Sequence, residues 1–129
     1  MFAKIDTDGT SGHWFTDDYF AYEGRDEELP VDIHMLYALI ADRNLYISIG
    51  QQDLASDPKA TWDALQKAKV VWQNIYGIEV IPDGAYEAVI SDQPVFSEGI
   101  AVHVHSDGHL LTAEDWKNYI AYMNDFVCQ

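Results

Sequence analysis

Gly99-Ile100-Ala101-Val102-His103-Val104-His105-Ser106-Asp107-Gly108-His109 reads as a strand that runs into a sharp turn. Residues two apart on a strand share a face, so His103 and His105 stand on the same side. Ser106-Asp107-Gly108 then supplies turn chemistry. A helix opens at Thr112, whose hydroxyl is placed to cap the amide of Asp115, while that carboxylate suits the positive end of the helix dipole. Trp116, Tyr119, Ile120, Met123 and Val127 form its apolar stripe, the expected core face.

Working upstream, Asp57-Pro58 places a capping residue before a proline at a first helical position. Trp62, Leu65, Ala68, Trp72, Ile75 and Tyr76 make one apolar face as far as Gly77, where a left-handed residue is wanted. Residues 78–81 and 86–90 read as strands joined by Pro82-Asp83-Gly84. Residues 45–49 have strand content. Before them, Ile33, Leu36, Tyr37 and Ile40 mark a helix over residues 30–43, although Ala41-Asp42-Arg43-Asn44 also suits a hairpin turn. Residues 2–5, His13-Trp14-Phe15 and Tyr19-Phe20-Ala21-Tyr22 have strand character, with a turn-rich Asp6–Gly12 segment among them. That segment departs from a calcium loop, which needs glycine where Ser11 stands. The order of elements predicts an α+β fold, with a mainly antiparallel sheet and two or three helices packed on it. No repeat or linker divides the chain, so residues 1–129 are expected to form a single domain.

The charge is strongly one-sided. The 129 residues hold 22 Asp and Glu against 7 Lys and Arg, a formal net charge of −15, and 48% of them are hydrophobic. Disorder requires low hydrophobicity, so this charge belongs to a folded body. Residues 70–116 contain no Lys or Arg. Nucleic-acid binding needs basic patches that displace counterions, and anionic membranes repel such a surface; neither is expected as a partner. A lone Cys128 cannot close an internal disulfide. No apolar leader with a cleavage site is present, and no apolar run reaches the roughly 20 residues of a membrane span. These features predict a cytoplasmic protein.

Two function classes follow. A large single-sign field steers oppositely charged partners. The first class is therefore a non-enzymatic inhibitor or binding protein that docks on a basic, nucleic-acid-handling protein. Its contacts would come from Asp17, Asp18, Glu23, Asp26, Glu27, Glu28 and Asp32, with Glu79, Asp83, Glu87 and Asp92 as a second bank. In size, acidity and lack of catalytic motifs the chain is similar to anti-CRISPR, anti-restriction and immunity proteins, some of which mimic nucleic acid. The alternative is a metal-binding protein or metal-dependent hydrolase using His103, His105, Asp107 and His109, a donor set that suits zinc or another transition metal. This stretch resembles, over about seven residues, the His-x-His motifs of metallo-β-lactamase-fold and polymerase-and-histidinol-phosphatase-type hydrolases, which draw further ligands from downstream sequence that this chain does not match. No Gly-x-Ser-x-Gly elbow and no phosphate loop occur, so an enzyme is not the leading expectation.

Overall fold

A computed structural model describes residues 16–128 of the chain. The α+β class holds. Helix α1 (Asp17–Phe20), a 3-10 turn (Asp26–Glu28) and α2 (Ile33–Ala38) lead into strand β1 (Leu45–Gly50). Helices α3 (Pro58–Ala68) and α4 (Val70–Tyr76) follow, then a 3-10 turn (Tyr86–Ala88), β2 (Val95–Phe96), β3 (Ile100–His105) and α5 (Ala113–Phe126). The strand readings at residues 2–5 and 13–15, and the loop at residues 6–12, lie outside the described residues.

The sheet is mixed, with order β1-β3-β2, which corrects the mainly antiparallel expectation. β1 and β3 run parallel over six pairs, with Ser48 opposite His103, while β2 adds two antiparallel pairs. Parallel neighbours need a long crossover, and α3 and α4 supply it. Two predicted strands, residues 78–81 and 86–90, do not form. The carbonyls where the first would end, and in the turn after it, are met by side chains of the crossover segment instead. Trp62 Nε1 donates to the Gly84 carbonyl at 3.0 Å, Gln66 Nε2 to Pro82 at 3.1 Å and Lys69 Nζ to Ile81 at 3.1 Å. A backbone satisfied in this way has no call for a neighbouring strand. Tyr19-Phe20 is helical, not extended, because Asp17 and Asp18 occupy the first turn of α1, where the dipole favours them.

The predicted helix from Pro58 to Gly77 is present as two. Asp57, left-handed at φ 44°, caps α3 by accepting from the Ala60 amide at 3.0 Å. Lys69 separates the halves, buried, with its ammonium 2.7 Å from Asp83. Gly77 at φ 70° closes α4, and the Ile78 amide donates back to Trp72 at 3.0 Å. Of the predicted stripe, Trp62, Leu65, Ala68 and Trp72 are buried, whereas Ile75 and Tyr76 are exposed.

The period of two gives the sheet two unlike faces. Ile100, Val102 and Val104, with Leu45 and Ile47, pack on α3 and α4 as the apolar core. Tyr46, Ser48, His103 and His105 face α5 instead, where Tyr46 meets Tyr119 and Tyr122 at ring separations of 4.7 and 5.5 Å. α5 is turned relative to expectation. Asp115 and Tyr122 are its buried residues, and Trp116, Ile120, Met123 and Val127 are exposed. Among the described residues no helix is long and apolar enough to cross a membrane.

Candidate functional site

The parallel strands β1 and β3 end side by side, and the carboxyl ends of parallel strands are where open α/β sheets place their ligands. The loop after β1 carries Asp53 and the loop after β3 carries His109. Backbone ties hold these loops together: the Gln51 amide donates to His105 at 2.7 Å, and the Gln52 amide to Asp107 at 3.0 Å. Gln52 Nε2 adds a bond of 2.8 Å to the Ser106 carbonyl. Gly50 is required at the closest approach, because a β-carbon there would collide with the Gly108 and Asp107 carbonyls.

His109 Nδ1 lies 2.6 Å from Asp53 Oδ2. Asp53 is buried, and the imidazole it holds is 87% exposed in its side chain. The Ser56 hydroxyl donates to the same carboxylate at 2.7 Å and the Ser56 amide at 3.3 Å. The Ser56 hydroxyl first, and His109 second, hold the Asp53 carboxyl below the usual carboxylate range. The pair lines a cleft of about 450 Å³, whose walls include Ile47, Thr61, His105, Leu110 and Tyr119. A buried carboxylate on one nitrogen of an exposed imidazole fixes the tautomer and leaves the other nitrogen to exchange protons. Such an arrangement can serve as a general acid–base pair.

The four residues proposed as metal ligands are not brought together. His109 goes to Asp53. Asp107 is exposed in the turn. His103 is buried, with Nδ1 at 3.2 Å from Asp115 Oδ1, an ion-pair separation without hydrogen-bond alignment. His105 stands 5.5 Å from His103, ring to ring, and borders the cleft. The two imidazoles do share a face, as strand geometry requires, but that face is covered by α5. Among the described residues, no group of three His, Cys, Asp or Glu side chains is placed to hold a metal ion.

The acidic banks are spread over several elements. Asp17 and Asp18 begin α1, Glu23 follows it, and Asp26, Glu27 and Glu28 form the 3-10 turn. Several of these acids have local work. Glu28 pairs with Arg25 at 2.8 Å, and Asp32 caps α2 through the Ile33 amide at 2.7 Å. Asp83 neutralises Lys69 and Asp92 accepts from the Ser106 amide, while Glu79 and Glu87 are exposed.

A family model described as glucuronyl esterase, fungi, matches residues 3–76. The chain belongs to the glucuronyl esterase family. It is 30% identical over 112 residues to carbohydrate esterase MZ0003 from an unknown prokaryotic organism, covering 85% of this chain and 24% of that protein. With a multidomain esterase of Ruminococcus flavefaciens it shares 27% identity over 124 residues, which is 96% of this chain and 14% of that one. Its fold superposes on a glucuronoyl esterase from Solibacter usitatus with a TM-score of 0.69 and 31% identity, over 87% of this chain and 28% of that one. The chain thus spans about a quarter, or less, of the length of these relatives.

Membership of the glucuronyl esterase family overturns the leading expectation. A non-enzymatic inhibitor of the anti-CRISPR, anti-restriction or immunity kind, or a nucleic-acid mimic, does not fit a chain whose relatives are esterases. Negative charge is a property of the surface and says nothing about the chemistry at the strand ends. Sequence reasoning also passed over Asp53 altogether, and grouped His109 with His103, His105 and Asp107, whereas the structure sets it against Asp53. The available signal was positional: an acid shortly after one strand and a histidine shortly after a later one, so that parallel pairing of the two strands brings both to one end of the sheet.

Proposed function

We propose that this chain supplies the acid–base portion of a carbohydrate esterase acting on esters of uronic acids. The observation that carries the reading is the 2.6 Å contact between Asp53 and His109 at the mouth of a cleft beyond two parallel strands. The substrate class is suggested by the names of the relatives, which are glucuronoyl and carbohydrate esterases.

In this reading Asp53 accepts a hydrogen bond from the Nδ1–H of His109 and orients the ring, the proton staying on the imidazole. His109 Nε2 then takes the proton of a nucleophilic hydroxyl as it attacks the ester carbonyl, and Asp53 stabilises the imidazolium that forms. The imidazolium returns that proton to the departing alcohol, and the same nitrogen activates water to release the acid. The Ser56 bonds keep Asp53 charged, so it serves as an acceptor throughout. No Gly-x-Ser-x-Gly turn occurs among the 129 residues. In this reading the hydroxyl comes to His109 from polypeptide other than this stretch.

A graft tests this directly. The chain would replace the matching segment of the Solibacter usitatus glucuronoyl esterase, and hydrolysis of a methyl glucuronate ester would be followed. The graft should hydrolyse the ester, and His109→Ala should lower kcat by roughly six orders of magnitude, as for loss of a triad base. The 129 residues alone should show none of this hydrolysis. A folded, active graft whose rate survives His109→Ala would refute the assignment.

A further inference from the structure

Behind His109 lies a second buried carboxylate, one that is not among the residues lining the cleft. Asp115, in the first turn of α5, is 1% exposed. Its Oδ1 accepts from the Ser48 hydroxyl of β1 at 2.8 Å and lies 3.2 Å from His103 Nδ1 of β3. Its Oδ2 accepts from the amide and the hydroxyl of Thr112, both at 2.8 Å. One carboxylate therefore joins both parallel strands to the start of α5. We propose that Asp115 is a positioning residue for His109, acting through Thr112 to set where the loop between β3 and α5 presents the imidazole; this rests on the reading of Asp53 and His109 as an acid–base pair.

The argument is one of leverage. His109 sits in the segment from Ser106 to Thr112. Gln52 fixes the near end through the Ser106 and Asp107 carbonyls. The far end is fixed where Thr112 meets Asp115. Between them, the Leu110 amide bonds only within the loop, to Gly108 at 2.9 Å. With an imidazole 87% exposed, packing does little to aim it. Its direction follows from the two loop ends and the bond to Asp53. Ser48 lies on the strand that delivers Asp53, so Asp115 refers the histidine loop to the same strand that carries its partner. A shift of about 1 Å is enough to spoil such an alignment. Buried, fully used carboxylates hold position well because each bond they give up strands a desolvated donor.

The test reads the tautomer of His109 in the 129-residue protein, by long-range proton–nitrogen correlation of the imidazole with the ring neutral. His109→Gln assigns the signal. The native protein should hold the proton on Nδ1, and Asp53→Asn should abolish that preference. Asp115→Asn and Thr112→Val should each shift the ring toward the tautomer mixture of a free imidazole. Thr112→Ser, which keeps the hydroxyl, should retain the native tautomer. So should Ile81→Val, a core substitution that lowers stability away from the loop. Native tautomer in both Asp115→Asn and Thr112→Val, with Asp53→Asn still disrupting it, would overturn the positioning role alone. A native protein with no Nδ1 preference would remove the acid–base pair and this inference with it. If Asp115→Asn fails to fold, the contrast between Thr112→Val and Thr112→Ser decides.

Discussion

Two carboxylates sit near the site, and their partners give them different tasks. Asp53 meets an exposed imidazole and is available for chemistry, whereas Asp115 is enclosed by donors and is available only for structure. Burial alone would raise the Asp115 carboxyl, but the Thr112 amide and hydroxyl, Ser48 and the nearby His105 bring it from an ordinary 3.8 to about 2. A carboxyl depressed on folding stabilises the protein above its unfolded value, and that contribution disappears as pH falls through its folded value. The difference is worth roughly 2 kcal/mol. The gap in unfolding free energy between the native protein and Asp115→Asn, measured by urea titration, should thus be widest above about pH 4 and narrow by roughly 2 kcal/mol toward about pH 2. A gap independent of pH would show that the carboxylate is not held by these bonds.

At the scale of elements, the decisive contact is the crossing of the two loops beyond β1 and β3. Gly50 ends β1 against the Gly108 carbonyl, with no room for a methyl group. Gly50→Ala must push the histidine loop away, at a cost of about 1–3 kcal/mol typical of overpacking, and should weaken the Asp53–His109 contact as well. Gly84, where a β-carbon would meet nothing within 4 Å, is the control, and Gly84→Ala should be nearly neutral. Thermal unfolding of the two variants checks this, and equal midpoints would contradict the crowding. Other elements were legible in the sequence for good reason. Asp57-Pro58 and Thr112 carry their caps within a few residues, so local chemistry alone starts α3 and α5. The loss of the strands expected at residues 78–81 and 86–90 was not foreseeable, because Trp62, Gln66 and Lys69 take the Gly84, Pro82 and Ile81 carbonyls from 12 to 22 positions away.

Over the whole molecule, the charge of −15 acts as self-repulsion. Raising sodium chloride from about 0.01 M to about 0.5 M shortens the Debye length from roughly 30 Å to below 10 Å, and the thermal midpoint should rise accordingly. A midpoint that falls or stays level would mean the acids are already compensated, in the manner of Asp83 with Lys69. α5 shows how far a helical pattern reaches. Both the stripe through Asp115, Tyr119 and Tyr122 and the stripe through Trp116, Ile120 and Met123 have helical spacing. The second is the more apolar, yet the first is the one that packs on the sheet. Periodicity names a helix and proposes a face; the sheet decides which face is used, here because Ser48, His103 and Tyr46 offer a polar and aromatic surface.

By itself the sequence determined what neighbours along the chain can settle: the α+β class, the capped starts of α3 and α5, the strand over Ile100–His105 with both histidines on one side, and an acidic folded body. Tertiary structure alone decided that β1 and β3 are parallel, that His103 faces Asp115, and that His109 meets Asp53 across 56 positions. Caps and alternation depend on atoms a few bonds apart, so they are written locally. An acid–base pair depends on two strand ends meeting, and only the folded chain brings them together.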